Sequence, residues 1–210
     1  MKHFLDIENW SRKEHFHFFR KFEEPFFGVT VSVDCTKAYA ASKKHNVPFF
    51  VFYLHKVLLA VNQVTPFRYR IMGDQIEVWD QIDASPTISR EDGSFAFSLF
   101  TFTPSLQAFT EIAKTEIERV NRTPGLFTRS FDNDNIIHFS ALPWIDFTSL
   151  SHARSFSFPD SCPKISIGKV TTDRTGRKTF PVSVHVHHGL MDGFHVGQFF
   201  EVFQNALDTD

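Results

Sequence analysis

Pro181-Val182-Ser183-Val184-His185-Val186-His187-His188-Gly189-Leu190-Met191-Asp192-Gly193-Phe194-His195 is the stretch whose reading decides the fold. Its first half alternates, as a strand does. At a period of two, Val182, Val184, Val186 and His188 share one face, and Ser183, His185 and His187 share the other. His188 then ends a line of buried valines, while His185 and His187 are expected on a more polar side. Gly189 and Gly193 bracket a turn that contains Asp192, and a helix is expected from about Phe194. An imidazole at the end of an apolar strand is disfavoured in its charged form, so it can accept a proton from a hydroxyl. Asp192 can organise the turn or pair with a cation from elsewhere in the chain. On physics alone a strand-end histidine is more often structural than catalytic. A metal site is the other alternative, since His185, His187, His188 and His195 lie close together. However, His187 and His188 point to opposite faces of a regular strand, and no H-E-x-x-H pattern is present. No metal is therefore expected.

Outward from this segment, strands and helices are mixed without regular alternation, which predicts an α+β fold with a mixed β-sheet. Helices are expected over Asn9–Phe22, capped by Asn9 or Ser11, and over Pro48–Gln63 and Val196–Leu207. The clearest amphipathic pattern is Pro104–Arg122, with Leu106, Phe109, Ile112, Ala113, Ile117 and Val120 on its apolar side. Strands are expected over Phe27–Val33, Ser94–Thr103 and Ile136–Leu142. Phe67–Ile71 and Gln75–Asp80 read as a hairpin across Met72-Gly73-Asp74. Lys164–Thr171 and Thr179–His187 are joined by the polar turn Asp173–Gly176.

Composition narrows the function. The chain has 210 residues, enough for a single domain spanning 1–210 with a substantial core. A formal net charge of −2 supplies no basic field for nucleic acid or an anionic membrane. The longest apolar run, Val47–Val61, is interrupted by Tyr53, His55 and Lys56 and is too short and polar for a bilayer. Cys35 and Cys162 alone make no disulfide framework or thiolate zinc site, and a reducing cytoplasm is the simplest location. No phosphate-binding glycine loop occurs, which argues against nucleotide hydrolysis and dinucleotide binding. The 27 Phe against 3 Tyr and 3 Trp read first as core filling, since Phe brings apolar area with no polar atom to satisfy.

His187-His188-Gly-Leu-Met-Asp192-Gly193 resembles the H-H-x-x-x-D-G signature of the chloramphenicol acetyltransferase family and, more loosely, that of dihydrolipoamide acyltransferases. Asn9-Trp10-Ser11-Arg12-Lys13-Glu14-His15-Phe16, Glu77-Val78-Trp79-Asp80, Phe97-Ser98 and Ser140-Ala141-Leu142-Pro143-Trp144-Ile145-Asp146-Phe147 resemble further family blocks, in order and at similar spacing. The resemblance implies a two-layer sandwich and transfer of an acetyl group from acetyl-coenzyme A to a hydroxyl of chloramphenicol. It implies a homotrimer with the active site between subunits. In that reading His188 is the general base, Asp192 pairs with Arg12 to hold the histidine loop, and Ser140 donates to the tetrahedral oxyanion. Ser166 stands where the family has a Thr that holds a water. Lys169, Trp144 and Ser140 fall on the coenzyme side, with Val170 in place of an aromatic that packs on adenine. On the acceptor side, Phe19 replaces a Tyr, Pro25 or Phe26 replaces a Cys, and Phe97 matches. Leu150 and His152 replace Phe and Leu, and Ser151–Pro163 departs from the family pattern.

Overall fold

The computed structural model describes residues 1–209 except 132, 133 and 159. The elements are β1 (Lys2–Phe4), α1 (Lys13–Phe19), β2 (Phe26–Asp34), α2 (Thr36–Lys44), α3 (Phe49–Gln63), β3 (Tyr69–Met72), β4 (Gln75–Trp79) and β5 (Asp83–Ser89). They continue with β6 (Phe95–Phe97), α4 (Leu106–Arg122), β7 (Ile136–Ala141), β8 (Lys164–Ile167), β9 (Thr171–Thr172), β10 (Lys178–His187) and α5 (Gly193–Asp208). The main sheet runs β2-β10-β8-β7-β5-β6, with β9 beside β10. Its β7 pairs are parallel and its β10 pairs antiparallel, so the sheet is mixed and the fold is α+β. A smaller antiparallel sheet, β1-β4-β3, contains the expected hairpin.

Strand β10 organises the layers. Its Val182, Val184 and Val186 are fully buried and stand opposite Val31, Val29 and Phe27 of β2. With Val57, Leu58, Phe109, Phe199 and Phe203 from α3, α4 and α5 they form one core. The other face is polar. Register across β2, β10, β8, β7 and β5 aligns Gly28, His185, Lys164, His138 and Ser85 in one rung. The neighbouring rung aligns Thr30, Ser183, Ser166 and Ser140. Gly28 is required for this packing, because a Cβ there would fall 2.3 Å from His185 Nε2.

Several expectations are corrected. The first helix is α1, not Asn9–Phe22, and neither Asn9 nor Ser11 caps it. Its N-cap is Arg12, without a side-chain cap, and the Asn9 amide turns to Asp6 at 2.7 Å. The strand expected over Ser94–Thr103 shrinks to β6 plus an isolated bridge between Ala84 and Phe100. Strand β5 lay hidden because it carries Pro86, which has no N–H for a ladder. Its carbonyl instead accepts from both the backbone and the hydroxyl of Ser98. Helix α5 begins earlier than expected because Asp192 caps it. His187 is on the polar face as expected, yet it is only 4% exposed.

Arg70, 1% exposed, is the largest fully buried side chain. Its guanidinium donates to four backbone carbonyls, those of Phe67, Tyr69, Asp134 and Ile136, tying the β3 hairpin to the start of β7. Arg70→Met is expected to leave these carbonyls unpaired in the interior and to cost about 3–5 kcal/mol. Urea denaturation at neutral pH measures it, and a loss of under about 1 kcal/mol would show that the anchor is dispensable.

Candidate active site

The turn after β10 is built around Arg12. One guanidinium nitrogen is ion-paired with Asp192, and the other donates to the His188 carbonyl at 3.1 Å. The His188 N–H donates to the Pro25 carbonyl at 2.8 Å. The imidazole stacks face to face on Phe19 at 4.0 Å between ring centres and packs at 4.7 Å against Phe27. Its Nδ1 is buried with no hydrogen-bond partner among the described residues. Asp192 both organises the turn and binds the cation. It caps α5 by accepting from the Phe194 N–H at 3.0 Å. His195 Nδ1 lies 2.8 Å from the Asp192 carboxylate and 3.2 Å from its N–H. The same ring nitrogen thus accepts from the Asp192 N–H, closing a capping box, in one tautomer and donates to the carboxylate in the other. Burial alone would raise the Asp192 pKa, but the charge of Arg12 and the bonds from His195 and Phe194 hold it below the usual carboxylate range.

Ser140 and Ser166 are paired across β7 and β8. They line a cavity of about 420 Å³ together with Trp144, Leu150 and His152. Ser166 is fully buried, and its Oγ has no partner among the described residues. Trp144, 71% exposed, stands between this cavity and an apolar one of about 400 Å³ lined by Phe49, Phe50, Tyr53, Ile117 and Val170. Lys169 is exposed, its backbone fixed by the Ile145 carbonyl at 2.8 Å. Phe97 lines a third cavity, of about 280 Å³, that also reaches Ser140 and His152.

The residues expected at one site therefore form two groups. His188, Arg12, Asp192, Phe19 and Pro25 gather at the end of β10, and Ser140, Ser166, Trp144, Phe97, Leu150 and His152 gather over β7 and β8. Phe26 joins neither. Strand alternation turns it to His187, with the Arg154 guanidinium 3.8 Å over its ring. Phe27, on the valine face, is the residue that touches His188, and the period of two in Phe27–Val33 was the signal for it. His188 lies five residues beyond Ser183, about 17 Å along the strand, and β7 lies two ladders from β10, about 10 Å across. Ser140 also faces the polar side, whereas His188 packs with Phe27 on the valine side. Within one chain the two groups do not converge.

The chloramphenicol acetyltransferase family model matches residues 2–204. The chain belongs to the chloramphenicol acetyltransferase family. A chloramphenicol acetyltransferase from Bacillus pumilus is 29% identical over 202 residues, covering 96% of this chain and 91% of that protein. Chloramphenicol acetyltransferase 3 from Escherichia coli is 30% identical over 207 residues, covering 98% and 96%. A solved chloramphenicol acetyltransferase superposes with a TM-score of 0.89 at 31% identity, over 99% of this chain and all of that one. A dihydrolipoamide acetyltransferase from Azotobacter vinelandii shares the fold at a TM-score of 0.68 and 14% identity. Family membership makes the chain an acetyltransferase with an acetyl-coenzyme A co-substrate.

Among the described residues, His138, Asp160 and Cys162 are the one trio of metal-type ligands within 4.8 Å of one another. The Lys164 ammonium already sits on Asp160 and 3.3 Å from the Cys162 carbonyl, supplying the positive charge a cation would bring.

Two outcomes are expected from this geometry. Arg12→Ala should destabilise the protein by about 1–2 kcal/mol, and Asp192→Ala by about 1 kcal/mol more, because it removes the α5 cap as well as the ion pair. Equal losses in urea denaturation would deny the cap its share. Burial holds His187 at about 4, with the nearby Arg154 charge adding to the effect, against an ordinary 6.5. Between these values the unfolded chain binds a proton that the folded chain refuses. Stability should therefore fall as pH drops from about 6.5 to about 4, by on the order of 3 kcal/mol from this group. His187→Gln should flatten that part of the stability–pH curve, and an unchanged slope would assign the acid sensitivity elsewhere.

Proposed function

We propose that the chain transfers the acetyl group of acetyl-coenzyme A to a hydroxyl of chloramphenicol, by direct attack in a ternary complex. His188 takes the hydroxyl proton as the acceptor oxygen bonds to the thioester carbonyl carbon. Ser140 Oγ donates to the oxyanion that forms, a bond that strengthens as charge develops. When the intermediate collapses, the C–S bond breaks and the leaving thiolate takes the proton back from His188. Ser166 holds a hydroxyl beside the same intermediate. Arg12 and Asp192 position the histidine loop without touching the proton. Trp144 and Lys169 serve the coenzyme side, with Trp144 at the junction of the two cavities.

The observation that carries this reading is the Arg12 guanidinium, which joins Asp192 to the carbonyl of His188. This is the arrangement the family motif calls for in a loop that presents a base. The separation of His188 from Ser140 supports a homotrimer in which the base of one copy faces the oxyanion donor of the next. A domain of 1–210 as the repeating unit follows from the same reading. No helix among the described residues is long and apolar enough to cross a membrane. Cys35 and Cys162 are buried free thiols, which supports a reducing, cytoplasmic location.

A second reading, acetyl transfer to a different small hydroxyl compound, is favoured by the acceptor side. Phe19 offers no hydroxyl beside His188, and His152 and Lys164 place polar groups near Ser140 in a lining that also carries Phe97, Phe139 and Phe158.

His188→Ala is expected to lower turnover by several orders of magnitude with the fold intact, and Ser140→Ala by about 10²-fold, as release of the free thiol reports. Mixing unfolded His188→Ala and Ser140→Ala chains and refolding them together should restore roughly a quarter of the wild-type sites, since a paired site then draws one intact residue from each. No recovery would place the complete site within one chain.

A further inference from the structure

The apolar cavity of about 400 Å³ beside Trp144 has a basic margin that the transfer chemistry does not use. Its lining, with Phe49, Tyr53, Trp144 and Val170, includes no charged side chain. Charge begins at its edge. The Phe49 ring meets Tyr39 of α2 edge-on at 5.0 Å. Two ammonium groups lie over the Tyr39 ring, Lys43 at 5.5 Å and Lys178 at 5.1 Å. They come from different elements, the last turn of α2 and the start of β10. Lys178 reaches the cavity by a second route. It pairs with Thr172 in the β9–β10 register, and its Nζ donates to the Thr172 hydroxyl at 2.9 Å. Thr172 is two residues from Val170, at most about 7 Å of extended chain. Lys169, exposed, immediately precedes Val170.

The carboxylates near this margin are engaged elsewhere. Asp34 holds Arg177 at 2.7 Å, and Asp208 lies 3.6 Å from Lys37. Among the described residues neither Lys43 nor Lys178 is ion-paired with a carboxylate. The C-terminal dipole of α2 offsets part of the Lys43 charge, but Lys178 stands on a strand and gains nothing from it. The Tyr39 ring attracts both ammonium groups and so holds them near one another against their repulsion. Lys43 is exposed and Lys178 half-buried, which leaves N–H donors open to a ligand.

Coenzyme A has the same division. Its pantetheine arm is uncharged, and its adenosine end carries a diphosphate and a 3′-phosphate. An uncharged cavity suits the arm, and ammonium groups donate charge-assisted hydrogen bonds to phosphate oxygens. We propose that Lys43 and Lys178, gathered on Tyr39, bind the phosphates of coenzyme A while the arm runs through the cavity beside Trp144. This site rests on the acetyl transfer proposed above. Val170 offers adenine no ring to stack on, so charge at the adenosine end supplies the hold that stacking does not.

Calorimetric titration with coenzyme A and with pantetheine, the same arm without nucleotide or phosphate, tests the assignment. Lys43→Gln/Lys178→Gln is expected to weaken coenzyme A binding about tenfold at low salt and to change pantetheine binding less than about twofold. Glutamine keeps a donor for Thr172, and an unchanged melting temperature checks that the fold is intact. Raising salt from about 0.05 M to about 0.5 M should weaken coenzyme A binding more in the wild type than in the double variant. In turnover, KM for acetyl-coenzyme A should rise by the same factor as the dissociation constant, with kcat unchanged. A coenzyme A affinity that the double substitution leaves unchanged overturns the phosphate site, and so does an equal loss for coenzyme A and pantetheine. Lysine-dependent coenzyme A binding without thiol release from acetyl-coenzyme A and chloramphenicol overturns the transfer reaction and leaves the phosphate site standing.

Discussion

Strand β10 is hydrogen-bonded on both edges, by β2 and by β8, and both of its faces are largely buried. The two faces are buried against different chemistries. Val182, Val184 and Val186 meet the apolar sides of the helices, where area removed from water stabilises the contact. Ser183, His185 and His187 meet other polar groups, where each buried donor or acceptor needs a partner. The fixed register extends this division across the sheet, so that hydroxyls, imidazoles and Lys164 share one surface and the helix core shares the other. Gly28 belongs to the same constraint, because it gives up its side chain to leave room for the His185 ring.

The end of β10 converts that constraint into a site. The chain leaves the strand at His188, whose N–H and carbonyl are held by Pro25 and Arg12. Both backbone groups of the residue are thus fixed, and Phe19 and Phe27 restrict its ring. Asp192 links the guanidinium to the start of α5, so strand, turn and helix are joined through one carboxylate. Ser140 and Ser166 are fixed separately, by the parallel pairing of β7 and β8. The distance between the two groups is set by strand rise and ladder spacing, which side-chain rotation cannot close.

Much of this was legible in the chain itself. Alternation in Pro181–His188 assigned the two faces of β10 correctly, because the period of two is a local property of extended backbone. Helix α4 followed from its apolar repeat, although Glu116 is buried within that side, accepting from Leu99 and Arg119. The motif around His188 and Asp192, together with the block at Arg12, carried the family and the expected ion pair over 180 positions of sequence. Strand β5 was not legible, because a strand with an internal proline is stable only where its neighbours are supplied by distant segments. The partner of Phe26 was missed because it depends on where Arg154 folds back from the segment after β7.

What the sequence determined by itself was therefore local periodicity, capping chemistry and the identity of the reactive groups. These depend on residues within a few positions of one another, or on a pattern shared with relatives. Only the tertiary structure decided that Lys164, His138 and His185 stand in one rung, that Lys43 and Lys178 meet over Tyr39, and that His188 and Ser140 lie apart. Those facts depend on strand register and on contacts between segments far apart in the chain, and no local pattern encodes the distance between two strands that the fold has yet to bring together.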